Sequence, residues 1–255
     1  MSYKNYEVLK TELLDNGILK VSLNRPDSVN SVNRKMIEEL LDLWAGLIHD
    51  MAVRVVILSG EGDKGFCSGF EVGDVFQADK LKAPLMYDYA YNFGELELAM
   101  RKAPQPIICA LHGPAIGAGF SFALASDIRV ASTEARFATY FIRIGLGGAD
   151  MGCSYFLPRL IGAGRAYEYM LTGRFISSED ALNLGLISRR VEKEQLMETA
   201  LDIAKDIAEK DPLAVKLTKE AINTAMDAPD LQSAIHIENR NQVLMMMHNL
   251  QKGQG

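Results

Sequence analysis

Two apolar runs, Val53-Arg54-Val55-Val56-Ile57-Leu58 and Pro106-Ile107-Ile108-Cys109-Ala110-Leu111, each lead into a glycine-rich break and then a helical pattern. This alternation restricts the fold more than any other feature of the chain. Strands that are apolar throughout are covered on both faces, and strands separated by helices pair in parallel through right-handed crossovers. Upstream, strands are expected over 6–13 and 18–24 around the turn Asp15-Asn16-Gly17, forming a hairpin, followed by a helix with Met36, Leu40, Leu43, Trp44 and Leu47 on one face. Further helices are expected near 84–101 and 117–125, with a strand over 127–131. From about residue 162 the strand signals fade, and helices are predicted near 163–172, 178–184, 193–209, 213–226 and 229–247. The expected class is α/β, with a core over residues 1–195 and a helical region over 196–255.

Composition removes several functions. A net charge of −6 argues against nucleic acid as a partner, because phosphate binding leans on a basic field. No apolar run approaches the roughly 20 residues of a membrane span, and the N-terminus carries neither a signal-peptide stretch nor an Arg-rich leader, so a cytoplasmic location is expected. Cys67, Cys109 and Cys153 are widely spaced and lack CxxC or His-cluster patterns, so neither a disulfide framework nor a metal site is predicted.

Two segments follow strands and open onto helices: Gly65-Phe66-Cys67-Ser68-Gly69-Phe70-Glu71 and His112-Gly113-Pro114-Ala115-Ile116-Gly117-Ala118-Gly119. Glycine there lets the backbone approach a ligand, and a helix start supplies free N–H groups. Facing each other, two such turns would make an oxyanion hole. Neither fits a P-loop or the dinucleotide fingerprint.

The pair, its order and its spacing resemble the crotonase family, the enoyl-CoA hydratases and isomerases. Leu23-Asn24-Arg25-Pro26 with Asn30 is similar to the family's opening motif, Phe66-Cys67-Ser68-Gly69 to its FCAG loop, and Gly113 to Gly119 to its NGxAxGGG segment. Ala125-Ser126-Asp127-Ile128, Leu157-Pro158-Arg159-Leu160, Leu171-Thr172-Gly173-Arg174 and Gly185-Leu186-Ile187 match later landmarks, so the likeness covers nearly the whole chain. It implies a crotonase-like ββα spiral core with a C-terminal helical region, an acyl-CoA substrate, no cofactor beyond the coenzyme A of that substrate, and a homotrimer or dimer of trimers. The family's oxyanion donors fall on the backbone N–H groups of Phe70 and Ala118, with Ala118 a departure from the usual glycine. Arg25 matches a position near the pyrophosphate, and the backbone of Phe66, Cys67, Ser68 and Gly69, with Gly117, lies along the coenzyme and thioester. Tyr140 and Phe141 would line the acyl pocket. Lys80 and Lys82 are candidates for added charge there, and Tyr87, Tyr89, Tyr91 and Phe93 for the pocket, with solvated lysines and ordinary core aromatics the plainer readings.

The acid and base decide the reaction. Hydratases of the family place glutamates where this chain has Ser121 and Phe141, neither of which exchanges a proton with substrate, so the usual two-glutamate water addition is not expected. Counting back from Leu157-Pro158-Arg159-Leu160 puts Asp150 at the catalytic aspartate of isomerase-type members, while counting forward from Gly145 puts Ala149 there. A lone carboxylate beside an oxyanion hole can move a proton between carbons, which is a double-bond shift. The plainer reading of Asp150 is a cap for a helix starting near Met151. His112 is expected to be structural, Glu71 to form a salt bridge or face solvent, and His49, His236 and His248 to be surface or packing residues. Glu238 is a weaker candidate for reaching the site. Hydration by another acid/base set and a catalytically idle acyl-CoA binder remain as alternatives to the isomerase.

Overall fold

In the computed structural model, which describes residues 3–71 and 83–253, Gly17 takes φ +79° in the first turn, and β1 (Leu9–Leu13) and β2 (Ile18–Leu23) pair antiparallel about it. The chain then winds through α1 (Arg34–Leu47), β3 (Val55–Gly60), α2 (Ala83–Lys102), β4 (Ile107–Leu111), β5 (Pro114–Ile116), α3 (Ala118–Ala125), β6 (Ile128–Ser132) and β7 (Arg136–Ala138). It continues through α4 (Cys153–Ile161), α5 (Ala163–Thr172), β8 (Ile176–Ser177), α6 (Ser178–Asn183) and β9 (Arg189–Val191). Helices α7 (Leu196–Ala208), α8 (Pro212–Ala225) and α9 (Leu231–Lys252) complete it.

The long strands form one sheet in the order β1-β2-β3-β4-β6-β9, parallel from β2 onward, and the short strands form a second sheet in the order β5-β7-β8. Each circuit therefore adds a long strand, a short extended segment and a helix, which is the ββα spiral. Two isolated parallel bridges, Val32 with Phe70 and Cys67 with Ala115, carry the short-strand layer back into the earlier circuits.

The apolar runs are explained by burial on both faces. Val56 and Leu58 of β3 join the core that holds Met36, Leu40, Leu43, Trp44 and Leu47 of α1. Val55 and Ile57, pointing the opposite way, join Ile108, Ala110 and Val130 against Leu196, Ala200, Ala204 and Ala208 of α7. Alanines four residues apart let α7 lie close on the sheet. Local signals set the helix starts: the side chain of Asn33 accepts from Met36 N at 2.9 Å, and Asp211 caps α8 ahead of Pro212.

Sequence reasoning missed β5, β7, β8 and β9. Each has two or three residues, too few to show a period, and the exposed Arg189 and Arg190 mark β9 as a charged edge strand. The expectation of only helices after residue 162 is corrected accordingly.

Because Ala204 is fully buried against the sheet, Ala204→Leu should lower unfolding stability by about 1–3 kcal/mol through overpacking. Urea denaturation followed by circular dichroism measures this, and an unchanged midpoint would contradict the packing.

Candidate active site

Asn30 organises the first glycine-rich segment. Fully buried, it donates from Nδ2 to the carbonyls of Glu61 (3.0 Å), Phe66 (3.1 Å) and Gly65 (3.3 Å), and its Oδ1 accepts from Arg25 N (2.9 Å). With the loop so held, Cys67 pairs along β5: its N–H donates to Pro114 O at 3.1 Å, and Ile116 N donates to Cys67 O at 2.9 Å.

The two segments come together at Gly69 and Gly117. A Cβ on Gly69 would stand 3.0 Å from the Ile116 carbonyl oxygen and 3.8 Å from Ala118 N, and one on Gly117 would stand 3.8 Å from Gly69 Cα. Their φ values of +92° and +52° also favour glycine. Gly117 N donates to Ala138 O at 2.9 Å, whereas Ala118 N belongs to the first residue of α3, where no intrahelical acceptor exists. Ala118 is completely buried, so the helix start accommodates its methyl group. On the facing strand, Val32 bonds to Gly69 O (2.8 Å) and Glu71 N (3.1 Å), straddling Phe70. The amide of Phe70 therefore points to the opposite edge, the side on which β5 and Ala118 lie.

Around this turn the acid and base positions are unusual. Ser121, one turn beyond Ala118 and fully buried, donates to Gly117 O (3.2 Å) and meets Cys153 Sγ at 3.2 Å. Phe141 is buried, its ring 3.5 Å from where a Gly117 Cβ would be. Tyr140 turns instead toward Phe175 and Arg143.

Asp150 is exposed. Helix α4 starts at Cys153 with Gly152 as its cap, so Asp150 does not cap it; Oδ1 of Asp150 accepts from Met151 N at 2.8 Å, and Cys153 N donates to Asp150 O at 2.9 Å. Its Oδ2 has no hydrogen-bond partner among the described residues. Close enough for its charge to be felt sits Glu97, a carboxyl that sequence reasoning passed over. Glu97 is 4 % exposed, and neither of its oxygens has a hydrogen-bond partner among the described residues. Burial pushes its acidity well below that of an ordinary glutamate, raising its pKa; its own amide opposes this weakly, without a well-formed bond, and the Asp150 charge adds to it. Cys153, beside both carboxyls, is pushed up to about 12 by burial. A helical wheel would have revealed Glu97, since it shares the buried stripe of α2 with Phe93, Leu96 and Met100.

Backbone strain gathers here too. Among the described residues, the non-glycine positions with positive φ are Val29, Asn30, Tyr140 and Met151, all beside the elements just named. Arg25 is held by Ser31 O (2.6 Å) and by Glu71 (2.8 Å), which is the salt bridge expected of Glu71. Cys67 N, Ser68 N and Phe66 O are engaged internally, and Ser68 Oγ donates to Ser28 O at 3.1 Å. His112 is buried and lowered by burial, as a structural residue would be; His49, His236 and Glu238 are exposed, and His248 pairs with Asp211 at 3.1 Å. The ring of Phe93 meets that of Phe70, whereas Tyr87 and Tyr91 are exposed. Lys80 and Lys82, and the side chain of Tyr89, lie outside the described residues. No group of three or more His, Cys, Asp or Glu able to hold a metal ion occurs among the described residues, and no helix there is long and apolar enough to cross a membrane.

A family model described as enoyl-CoA hydratase/isomerase matches residues 14–254. The chain belongs to the enoyl-CoA hydratase/isomerase family. It is 38 % identical over 232 residues to a Mycobacterium leprae (strain TN) protein named "Probable enoyl-CoA hydratase echA12", covering 89 % of this chain and 79 % of that one. It is 34 % identical to the 1,2-epoxyphenylacetyl-CoA isomerase of Escherichia coli K12, over 83 % of this chain and 80 % of the relative. The solved enoyl-CoA hydratase of Bacillus anthracis superposes with a TM-score of 0.87 at 31 % identity, covering 92 % of this chain and 90 % of that one. The fold is thus that of the crotonase enzymes, and the chain is an enzyme of acyl-CoA metabolism.

The raised pKa of Glu97 makes stability depend on pH. Unfolded, the group releases its proton in the ordinary carboxylate range; folded, it holds on, so stability is intact at acid pH and declines as pH rises through that interval. Glu97→Gln removes this slope, so the stability of the variant relative to the parent should grow between pH 4 and pH 8, about the ordinary and neutral limits. Denaturant titrations across this range check it; parallel curves would contradict it.

Proposed function

We propose that this enzyme binds an unsaturated acyl-CoA, holds the thioester oxygen on the amides of Phe70 and Ala118, and shifts a double bond with Asp150 as the proton-transfer group. The observation that supports this is the close contact of Gly69 with Gly117 and the start of α3, a Cβ on Gly69 standing 3.8 Å from Ala118 N. Each amide donor at such a site contributes on the order of 3–4 kcal/mol to the transition state. The free Oδ2 of Asp150 suits the carboxylate role, since its other oxygen is occupied by Met151 N. Ser121 and Phe141 leave the usual water-activating positions without an acid. In this reading Arg25 approaches the pyrophosphate, the segment Phe66 to Gly69 lies along the coenzyme, and coenzyme A is needed only as part of the substrate.

Hydration is the second reading. It is favoured by the relatives named as hydratases and by the two neighbouring carboxyls, Asp150 and Glu97, which form a pair able to take a proton from water and give one to carbon. Assays of trans-2- and trans-3-enoyl-CoA, with solvent deuterium exchange at the α-carbon of a saturated acyl-CoA, separate isomerase, hydratase and idle binder.

Asp150→Asn should lower double-bond migration by about 100-fold or more while acyl-CoA binding stays nearly unchanged. Full activity in that variant, measured by product chromatography, would refute the role.

The same reading extends to assembly. Leu244, Met246, Met247 and Leu250 on α9 are exposed, a costly arrangement for a terminal helix in water. Sedimentation should show a trimer or a dimer of trimers, and a monomer at micromolar concentration would contradict it.

A further inference from the structure

We propose that Glu97 is the proton donor to substrate carbon, working opposite Asp150, which removes the proton. The inference deepens the enolate reading above and rests on it.

Position comes first. Glu97 lies one helical turn beyond Phe93, whose ring meets Phe70, and it is felt electrostatically by Cys153, which touches Ser121 one turn beyond Ala118. Glu97 therefore sits one turn along its helix from the neighbour of one proposed oxyanion donor, and across Cys153 and Ser121 from the other. Its bonding comes second. The other buried carboxyl among the described residues, Glu39, 5 % exposed, is held, accepting from Glu7 N at 2.8 Å and Val8 N at 3.0 Å, and the half-buried Asp127 is bound by Arg101 and Lys219. Among the described residues Glu97 has neither a hydrogen-bond partner nor a paired cation. A structural carboxyl left unpaired costs stability without return, whereas an acid meant to hand its proton to carbon must keep its oxygens uncommitted. Third, the charge of Asp150, from the loop before α4, adds to burial in favouring its protonated form.

The step balances. Asp150 carboxylate takes a proton from C2 of a 3-enoyl thioester; the C–H pair becomes the C1=C2 bond of a dienolate while the carbonyl pair moves onto the thioester oxygen, the C3=C4 bond staying in place. As the pair returns, C4 takes the proton of Glu97 and the double bond settles between C2 and C3. Asp150, being exposed, gives its proton to water, and Glu97 regains one from water as product leaves.

The test uses trans-3-hexenoyl-CoA deuterated at C2, in ordinary water, with the full-length protein. Product from the parent enzyme should carry no deuterium at C4. Glu97→Gln should lose about 100-fold in kcat while its affinity for hexanoyl-CoA stays within about twofold, with partial recovery in Glu97→Asp. The decline of parent activity at alkaline pH should be missing from the residual activity of Glu97→Gln. Deuterium carried to C4, or unchanged kcat in folded Glu97→Gln, overturns the assignment while leaving the enolate reading intact. A parent enzyme inert toward this substrate and toward trans-2-hexenoyl-CoA, and unable to exchange the α-hydrogens of hexanoyl-CoA, overturns both.

Discussion

Cys67 pairs in parallel with Ala115, and the geometry of the site follows from that register. The pairing sets Gly69 against Gly117, spends Gly117 N on β7 and leaves Ala118 N at the helix start. It also brings Gly119 against Cys67, where a Cβ would meet the Cys67 carbonyl oxygen at 2.6 Å. A slip of one residue would drive a side chain into each of these contacts. The strain at Val29 and Asn30 belongs to the same arrangement, because Val29 O accepts from Ser68 N and Asn30 holds the loop before it. Strain of this kind costs roughly 1–3 kcal/mol per residue, the same order as the roughly 3–4 kcal/mol that one well-placed amide gives a developing oxyanion.

The ββα spiral was legible because its signals are repeated and long. Strands such as β3 must be apolar on both faces once α7 covers one side and α1 the other, and that requirement shows directly in Val55 to Leu58. Helix boundaries followed their caps closely, as at Ser177 and Asp211. The second sheet was not legible, since its strands are held by neighbours in the spiral and carry no periodicity of their own. The same holds for the loop before α4: Gly152 takes φ +75° and delays the helix, which turned an expected cap at Asp150 into a side chain closing on its neighbour's amide.

In the site, the turns were readable from glycine spacing, but the carboxyls were only half so. Asp150 was singled out by counting from a helix. Glu97 was hidden because α2 was read for its aromatics, and a glutamate between Leu96 and Leu98 looks like one more solvated charge until the face it occupies is worked out. Its significance lies in what does not touch it, and absence of a partner is a property of three dimensions that no linear spacing encodes.

The contrast between the two carboxyls supplies a division of labour. Asp150 is exposed and has one oxygen engaged by an N–H donor. Glu97 is buried on the helix face that carries Phe93, Leu96 and Met100, where the charged form is penalised and the proton is retained. Paired titratable groups driven apart by their surroundings are the usual way one site keeps a base and an acid at a single pH. Here burial does the separating, so the apolar face of α2 shapes the chemistry as directly as it shapes the fold. On the proposed assignment, Ser121 at the familiar glutamate position loses no acid, because the proton comes from α2 instead of α3, while Ser121 bonds to Gly117 O and meets Cys153.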